Sequence, residues 1–206
     1  ITRMALIPLM LVVHPGIPSK TMRELADYIR ARPGKIAYAS FGLGSTPHVA
    51  GEMFRHATGI DYQHVPYKGS GQAHPDLIGG QVQVMFDTVL AAVGHVRSGK
   101  LRAIAVTSPR RLANLPEVPT ALESGMPGFD VGSWIGMVGP AGIPAPVLAR
   151  LSQEINKAIQ TPEMRARFVD LGSEVIAEPP EVFAAFVRNE IESFGKFVRE
   201  AKLRFD

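Results

Sequence analysis

Apolar and polar positions alternate along the first half of the chain in blocks that switch between the strand and the helix period. The opening run, ITRMALIPLMLVVHP, is apolar, but Arg3 and Pro8 interrupt it too early for a membrane span of about 20 residues, and it reads as a strand centred on Leu9 to Val13. Leu25, Ala26 and Ile29 recur at helical spacing between Thr21 and Ala31, and the Arg-Pro-Gly that follows ends that helix. Lys35 to Ala39 reads as a strand, and Pro47 to Thr58 as a helix with Val49, Met53 and Phe54 on its core face. Tyr62 to Pro66 is a short strand, YKGSGQA a loop, and His74 to Ile78 a short helix closed by Gly79 and Gly80. A buried strand QVQVMF, a helix over Val89 to Val96 and a strand over Leu101 to Val106 complete this half. Such βα alternation predicts an α/β fold with a mixed, mostly parallel sheet covered by helices on both faces.

The texture changes at SPRRLANLPEVPTALESGMPGFD, which is rich in proline and glycine. A strand over Val131 to Val138, the breaker run GPAGIPAP and three amphipathic segments follow. The last segment, Glu181 to Lys202, places Phe183, Phe186, Val187, Ile191, Phe194, Phe197 and Val198 on one stripe, which is read as core packing.

Composition narrows the class. A chain of 206 residues, 46% hydrophobic and 20% charged, has the make-up of a soluble globular protein and can bury one large core or two modest ones. The formal charge of +3 comes from 22 basic and 19 acidic residues that are interspersed, so neither a nucleic-acid stripe nor a polybasic membrane patch is expected. The absence of cysteine excludes disulfides and thiolate metal sites. Ile1 opens the chain without an initiator Met, a charged n-region or a small-residue cleavage site, so a leader was removed or the chain is a piece of something longer.

The candidate chemistry lies where strands hand over to helices. In YASFGLGSTPHVAGEMF, Gly42 and Gly44 allow close backbone approach, Ser40, Ser45 and Thr46 add hydroxyls, and Pro47 suits the first helical position. His48 looks back at the turn from the first helical residues. A helix start beyond a strand's carboxyl end attracts anions, so the turn reads as a carboxylate cradle, although glycine and Ser/Thr before a helix are also what plain capping, the commoner case, requires. It carries neither a P-loop nor a complete dinucleotide fingerprint nor an esterase elbow, and no cofactor is expected. His48, Glu52 and His56 are four residues apart, but the outer two are about 12 Å apart along a helix axis, so they cannot hold one metal ion together and read as a solvated face. A hydrolase using Ser45 and His48, or a metal-assisted enzyme, is the alternative function, although nothing nearby completes a catalytic set. The same edge offers the Gly/Ser loop with Lys68, Gly69 and Gly71, and then Asp87 with Thr88 at a strand end, where the acid either caps a helix or faces a ligand.

KIAYASFGLGSTPHVAGEMFRHATGI, VPYKGSGQAHPDLIGGQVQVMFDT and SWIGMVGPAGIPAPVLARL together resemble the Bug family, the extracytoplasmic solute receptors of tripartite tricarboxylate transporters. The similarity runs from end to end, with Phe41, Leu43 and His74 as local departures. It implies a type II periplasmic binding protein of two α/β domains, with residues 1–128 forming the second domain nearly whole and residues 129–206 the returning part of a first domain that is incomplete here, so that apolar faces of the strand at Val131 to Val138 and of the last helix should be exposed. It further implies a non-enzymatic receptor in the periplasm that closes an interdomain cleft on a small carboxylated solute. The implied partners are the membrane permease subunits or a sensor kinase, with no insertion into the membrane. In that frame Ser40 to His48 form the second domain's share of the site, Lys68 to Gly71 and Asp87 lie beside it, and Trp134 either lines the cleft or packs. The missing first unit would supply the other wall. The resemblance therefore predicts, in calorimetric titrations with small carboxylates, weaker binding by this chain than by the same chain extended at its N-terminus; equal affinity would refute the missing wall.

Overall fold

Thr2–Val13 form one strand, β1, and its inner half explains the apolar run that opens the chain. Side chains on a strand alternate between faces. Leu9, Leu11 and Val13 enter one core and Met10 and Val12 a second, and all five are fully buried. Leu9 to Val13 run antiparallel to β4 (Val84–Thr88) on one side and to β5 (Arg102–Val106) on the other. Both faces and both edges of this segment are covered, so no polar position interrupts it. Pro8 has no N–H to give to a ladder, and the next amide, Leu9 N, donates to Thr107 Oγ1 at 2.8 Å.

The computed structural model describes residues 1–201 and 203, and divides into two compact units. The first runs from Pro8 to Gly132. Its sheet has the order β3-β2-β4-β1-β5, where β2 is Ala37–Ser40 and β3 is Gln63–Pro66. Strand β2 is parallel to β3 and β4. Because β4 and β5 both oppose β1, β2 to β5 share one direction and β1 alone runs against them, which gives the expected mixed sheet. On one face, α1 (Met22–Arg30) and α2 (Thr46–Thr58) bury Met22, Leu25, Ile29 and Phe54 against Phe86 and Phe129. On the other face, α3 (Ser70–Ile78) and α4 (Val89–Arg97) bury Ala73, Leu77, Val89 and Ala92 with Leu115 and Val118. Since β2, β3 and β4 are parallel and each feeds the next helix, the starts of α2, α3 and α4 come to one edge of the sheet.

The second unit comprises Ile1–Ile7 and the chain from Ser133 onward. Here β6 (Gly132–Met137) and β7 (Glu174–Val175) pair with β1, the latter through Ala5 and Leu6. The helices are α5 (Ala145–Ile159), α6 (Pro162–Asp170) and α7 (Pro180–Glu200). Trp134 packs edge-to-face on Phe183 and Phe186, with ring centroids 5.5 and 5.7 Å away. Arg3 pairs with Glu178 and lays its guanidinium 3.7 Å above the Phe186 ring. Gly136 lets Phe183 approach, because a Cβ there would run into the phenyl ring.

Three expectations change. The units meet at 132/133 rather than 128/129, because Phe129 and Val131 are buried in the first unit's core, and residues 1–7 join the second unit because β1 serves both. Helix α3 begins four residues before His74, so Gly71 lies in its first turn rather than in a loop. The stripe of α7 is not core along its length: Phe183 is buried, but Ile191 is 69% and Phe194 41% exposed, as are Ile135, Met137 and Val138 of the β6 region, which agrees with the exposed apolar faces that the resemblance implies. Lys202, at the end of that expected helix, lies outside the described residues. Accordingly, Leu11→Ala is expected to lower unfolding stability by about 2–5 kcal/mol and Ile191→Ala by less than about 0.5 kcal/mol in urea denaturation; equal losses would contradict this placement of the core.

Candidate functional site

The start of α2 is a turn closed on itself. Gly42 and Gly44 take φ of 106° and 76°, a region open to glycine and costly for other residues. The Gly42 amide donates to Ser40 Oγ at 3.0 Å, the Gly44 amide to His48 Nδ1 at 3.1 Å and the Ser45 amide to the Gly42 carbonyl at 3.2 Å. Ser45 is the N-cap: its Oγ donates to the Gly42 carbonyl at 2.7 Å and accepts from the His48 amide at 3.4 Å. The amides of Gly42, Gly44 and Ser45 therefore all bond within the turn and hold it in shape. Ser40, the last residue of β2, is fully buried, and Thr46 is half-buried in the first helical turn.

Helix α3 begins differently. Its N-cap is Gly69 at φ 148°, which supplies no side-chain acceptor, and a Cβ on Gly69 or Gly71 would meet only open space. Lys68 is exposed beside them, its own amide donating to Gln72 Oε1 at 3.3 Å. Ser70 is anchored from below: Asp87 Oδ1 accepts from Ser70 Oγ at 2.8 Å and from the Thr88 amide at 2.7 Å, and Asp87 Oδ2 meets His74 Nε2 at 2.6 Å. Asp87 is fully buried and so faces no solvent; it ties α3 to the carboxyl end of β4. Thr88 caps α4 by accepting from the Ala91 amide, and the His95 ring stands 4.5 Å from that of His74. Nearby, Tyr67 donates to Asp76 at 2.7 Å, and burial together with this bond pushes its hydroxyl up to about 12.

Under the α2 turn lies a polar cluster that the sequence did not announce. His64 on β3 meets Ser40 Oγ at 2.6 Å and is sandwiched between Tyr38 and His48, with ring centroids at 4.9 and 4.3 Å. Burial first, then His48 and Arg55, lower the His64 imidazole to about 4, and burial likewise lowers His48. Glu52 accepts from Tyr38 at 2.5 Å and pairs with Arg55 at 3.0 Å. His48 and Glu52 are thus buried, not members of a solvated face, because Tyr38 offers Glu52 a partner inside and the turn offers one to His48. The only sequence signal for His64 is its period-2 relation to buried Tyr62; its register opposite Tyr38 comes from strand pairing.

Ten of the expected residues, Ser40, Gly42, Gly44, Ser45, Thr46, His48, Lys68, Gly69, Gly71 and Thr88, thus lie on or next to one sheet edge, with Asp87 beneath it. Trp134 belongs to the other unit, where its ring contacts are Phe183 and Phe186. A Ser45 nucleophile would need its hydroxyl on a base, and it is on the Gly42 carbonyl. Among the described residues no group of three or more His, Asp or Glu is placed to hold a metal ion.

Residues 1–203 match the family described as tripartite tricarboxylate transporter family receptor. The chain belongs to this receptor family. It is 38% identical over 200 residues to a protein encoded in the tcbD-tcbE intergenic region of Pseudomonas sp. strain P51, covering 97% of this chain and 60% of that one. The periplasmic binding protein BugD superposes with a TM-score of 0.85 at 33% identity over 99% of this chain and 69% of BugD. MatC of Rhodopseudomonas palustris, solved with bound malate, gives 0.80 at 32% over 96% of this chain and 68% of its own. R. palustris Rpa4515, solved with adipate, gives 0.87 at 29% over 98% and 67%. The chain therefore has the fold of periplasmic binding proteins and spans about 60% of the length of the curated relatives it matches. Members of the tripartite tricarboxylate transporter receptor family are binding proteins rather than enzymes, and among the described residues no helix is long and apolar enough to cross a membrane.

The half-buried imidazole of His64 makes stability depend on pH in a definite direction. The unfolded chain protonates His64 near its ordinary 6.5, the folded chain only near 4, so this contribution is complete above 6.5 and is lost as pH falls through 4. The melting temperature of the wild type should drop more steeply across that window than that of His64→Phe; parallel profiles would contradict the neutral state of half-buried His64.

Proposed function

We propose that the protein is a periplasmic receptor that captures a small carboxylated metabolite at the edge where α2, α3 and α4 begin. It delivers the solute to the membrane subunits of a tripartite tricarboxylate-type transporter without changing it. The observation that carries this reading is the contrast between neighbouring helix starts: Ser45 and Thr88 cap α2 and α4, while α3 starts at a bare glycine beside Lys68 and open space. A helix start collects unsatisfied N–H groups and the positive end of the helix dipole, and both favour a carboxylate. Lys68 adds a positive charge at the rim. In this reading Lys68, Gly69 and Gly71 receive the solute, directly or through water. Ser40, Gly42, Gly44, Ser45, Thr46 and His48 shape the adjoining wall, and Asp87 and Thr88 hold the edge in register. The malate and adipate seen in MatC and Rpa4515 support a carboxylate as the solute class. A sensor kinase as partner rests on the family resemblance alone.

Isothermal titration with malate and adipate at low salt tests this. Binding should be weakened about two- to five-fold by Lys68→Gln, the size of a solvent-exposed charge contact, and the recovered solute should have its original mass. Binding indifferent to Lys68→Gln, or solute recovered as a product, would overturn the proposal.

A further inference from the structure

The geometry points to His64 as a positioning residue of the solute site, acting through the Ser40 hydroxyl to hold Gly42 and hence the turn that leads into α2. This inference rests on the receptor reading, and it concerns a residue outside every contact proposed above.

The Ser40 hydroxyl has one hydrogen and two acceptors within reach, His64 Nε2 at 2.6 Å and the Gly42 carbonyl at 3.3 Å. The nearer acceptor takes it, at a distance typical of a strong hydroxyl donor. The same oxygen then offers its lone pairs to the Gly42 amide at 3.0 Å. His64 must accordingly be neutral with its proton on Nδ1, and burial keeps it neutral at physiological pH. Gly42 sits at φ 106°, and its carbonyl receives both the Ser45 hydroxyl and the Ser45 amide. A hydroxyl turned away from His64 would compete for that carbonyl with the very groups that cap α2.

The His64 ring is itself fixed. It is stacked between Tyr38 and His48, and Nδ1 of His48 is engaged by the Gly44 amide. Two imidazoles in contact thus hold Gly42 and Gly44, the two glycines of the turn whose backbone lies in the left-handed half of conformational space. Removing the acceptor at position 64 while keeping an aromatic ring should free Gly42 without emptying the stack.

The test uses nitrogen-15 NMR and malate titration on the wild type, His64→Phe, His64→Gln, Ser40→Ala and the Ser40→Ala/His64→Phe double variant. His64 should show the Nδ1–H tautomer. His64→Phe should speed exchange of the Gly42 amide about ten-fold and weaken malate binding about three- to ten-fold, the worth of one hydrogen bond. His64→Gln, which retains an acceptor, should restore much of both, and the double variant should lose no more than either single one. An Nε2–H tautomer, additive losses, or His64→Phe with unchanged exchange and affinity would overturn the positioning role alone. A wild type that binds neither malate nor adipate would overturn the receptor reading, whatever Gly42 exchange shows.

Discussion

A buried carboxyl group organises the edge on which everything else depends. Asp87, at the carboxyl end of β4, has no exposed surface, and such a group is tolerated only when its oxygens are satisfied. Ser70, His74 and the Thr88 amide satisfy them, and these partners belong to α3 and to the start of α4. One residue therefore fixes where two helices begin relative to the strand between them. Because Ser70 is held from beneath, the uncapped glycine start of α3 keeps its place while facing open space. The anion site proposed here needs donors held in place, and the tether of Ser70 to Asp87 supplies that condition with short side chains.

The neighbouring turn solves a different problem. The amides of Gly42, Gly44 and Ser45 are spent on Ser40, His48 and the Gly42 carbonyl, so in the proposed reading this loop serves as a wall of the site. Stiffness there comes from aromatic stacking and hydrogen bonds below the surface, in the chain Tyr62, Tyr38, His64 and His48. In the proposed reading, shape and attraction are thereby divided between α2 and α3.

Much of this was legible in the sequence, for reasons particular to each element. The double burial of β1 leaves an unmistakable apolar run, and the βα alternation after it fixed the order of strands and helices. The first turn of α3 was not legible, because Ser70 and Gly71 are weak helix formers and the turn is supported by the tertiary tether of Ser70 to Asp87. His64 was invisible for a related reason: a histidine in a four-residue strand says nothing about which serine lies within reach until the pairing register is known. The amphipathic stripe of α7 showed that the helix has an apolar face, but a stripe carries no information on what covers it, and Ile191 and Phe194 stand exposed. The limits of the two units escaped pattern reading because a single strand contributes to both.

In the proposed reading, similarity to receptors solved with malate and adipate supports a carboxylate solute, and the open start of α3 is the proposed place for it. The most direct measurement of that link is the change in amide proton and nitrogen shifts of the labelled protein as adipate is added. The account predicts the largest saturable changes at Ser70 and Gly71, with smaller ones at Leu43 and Thr46. Changes confined to the opposite edge of the sheet, around Pro15 and Arg102, would contradict it.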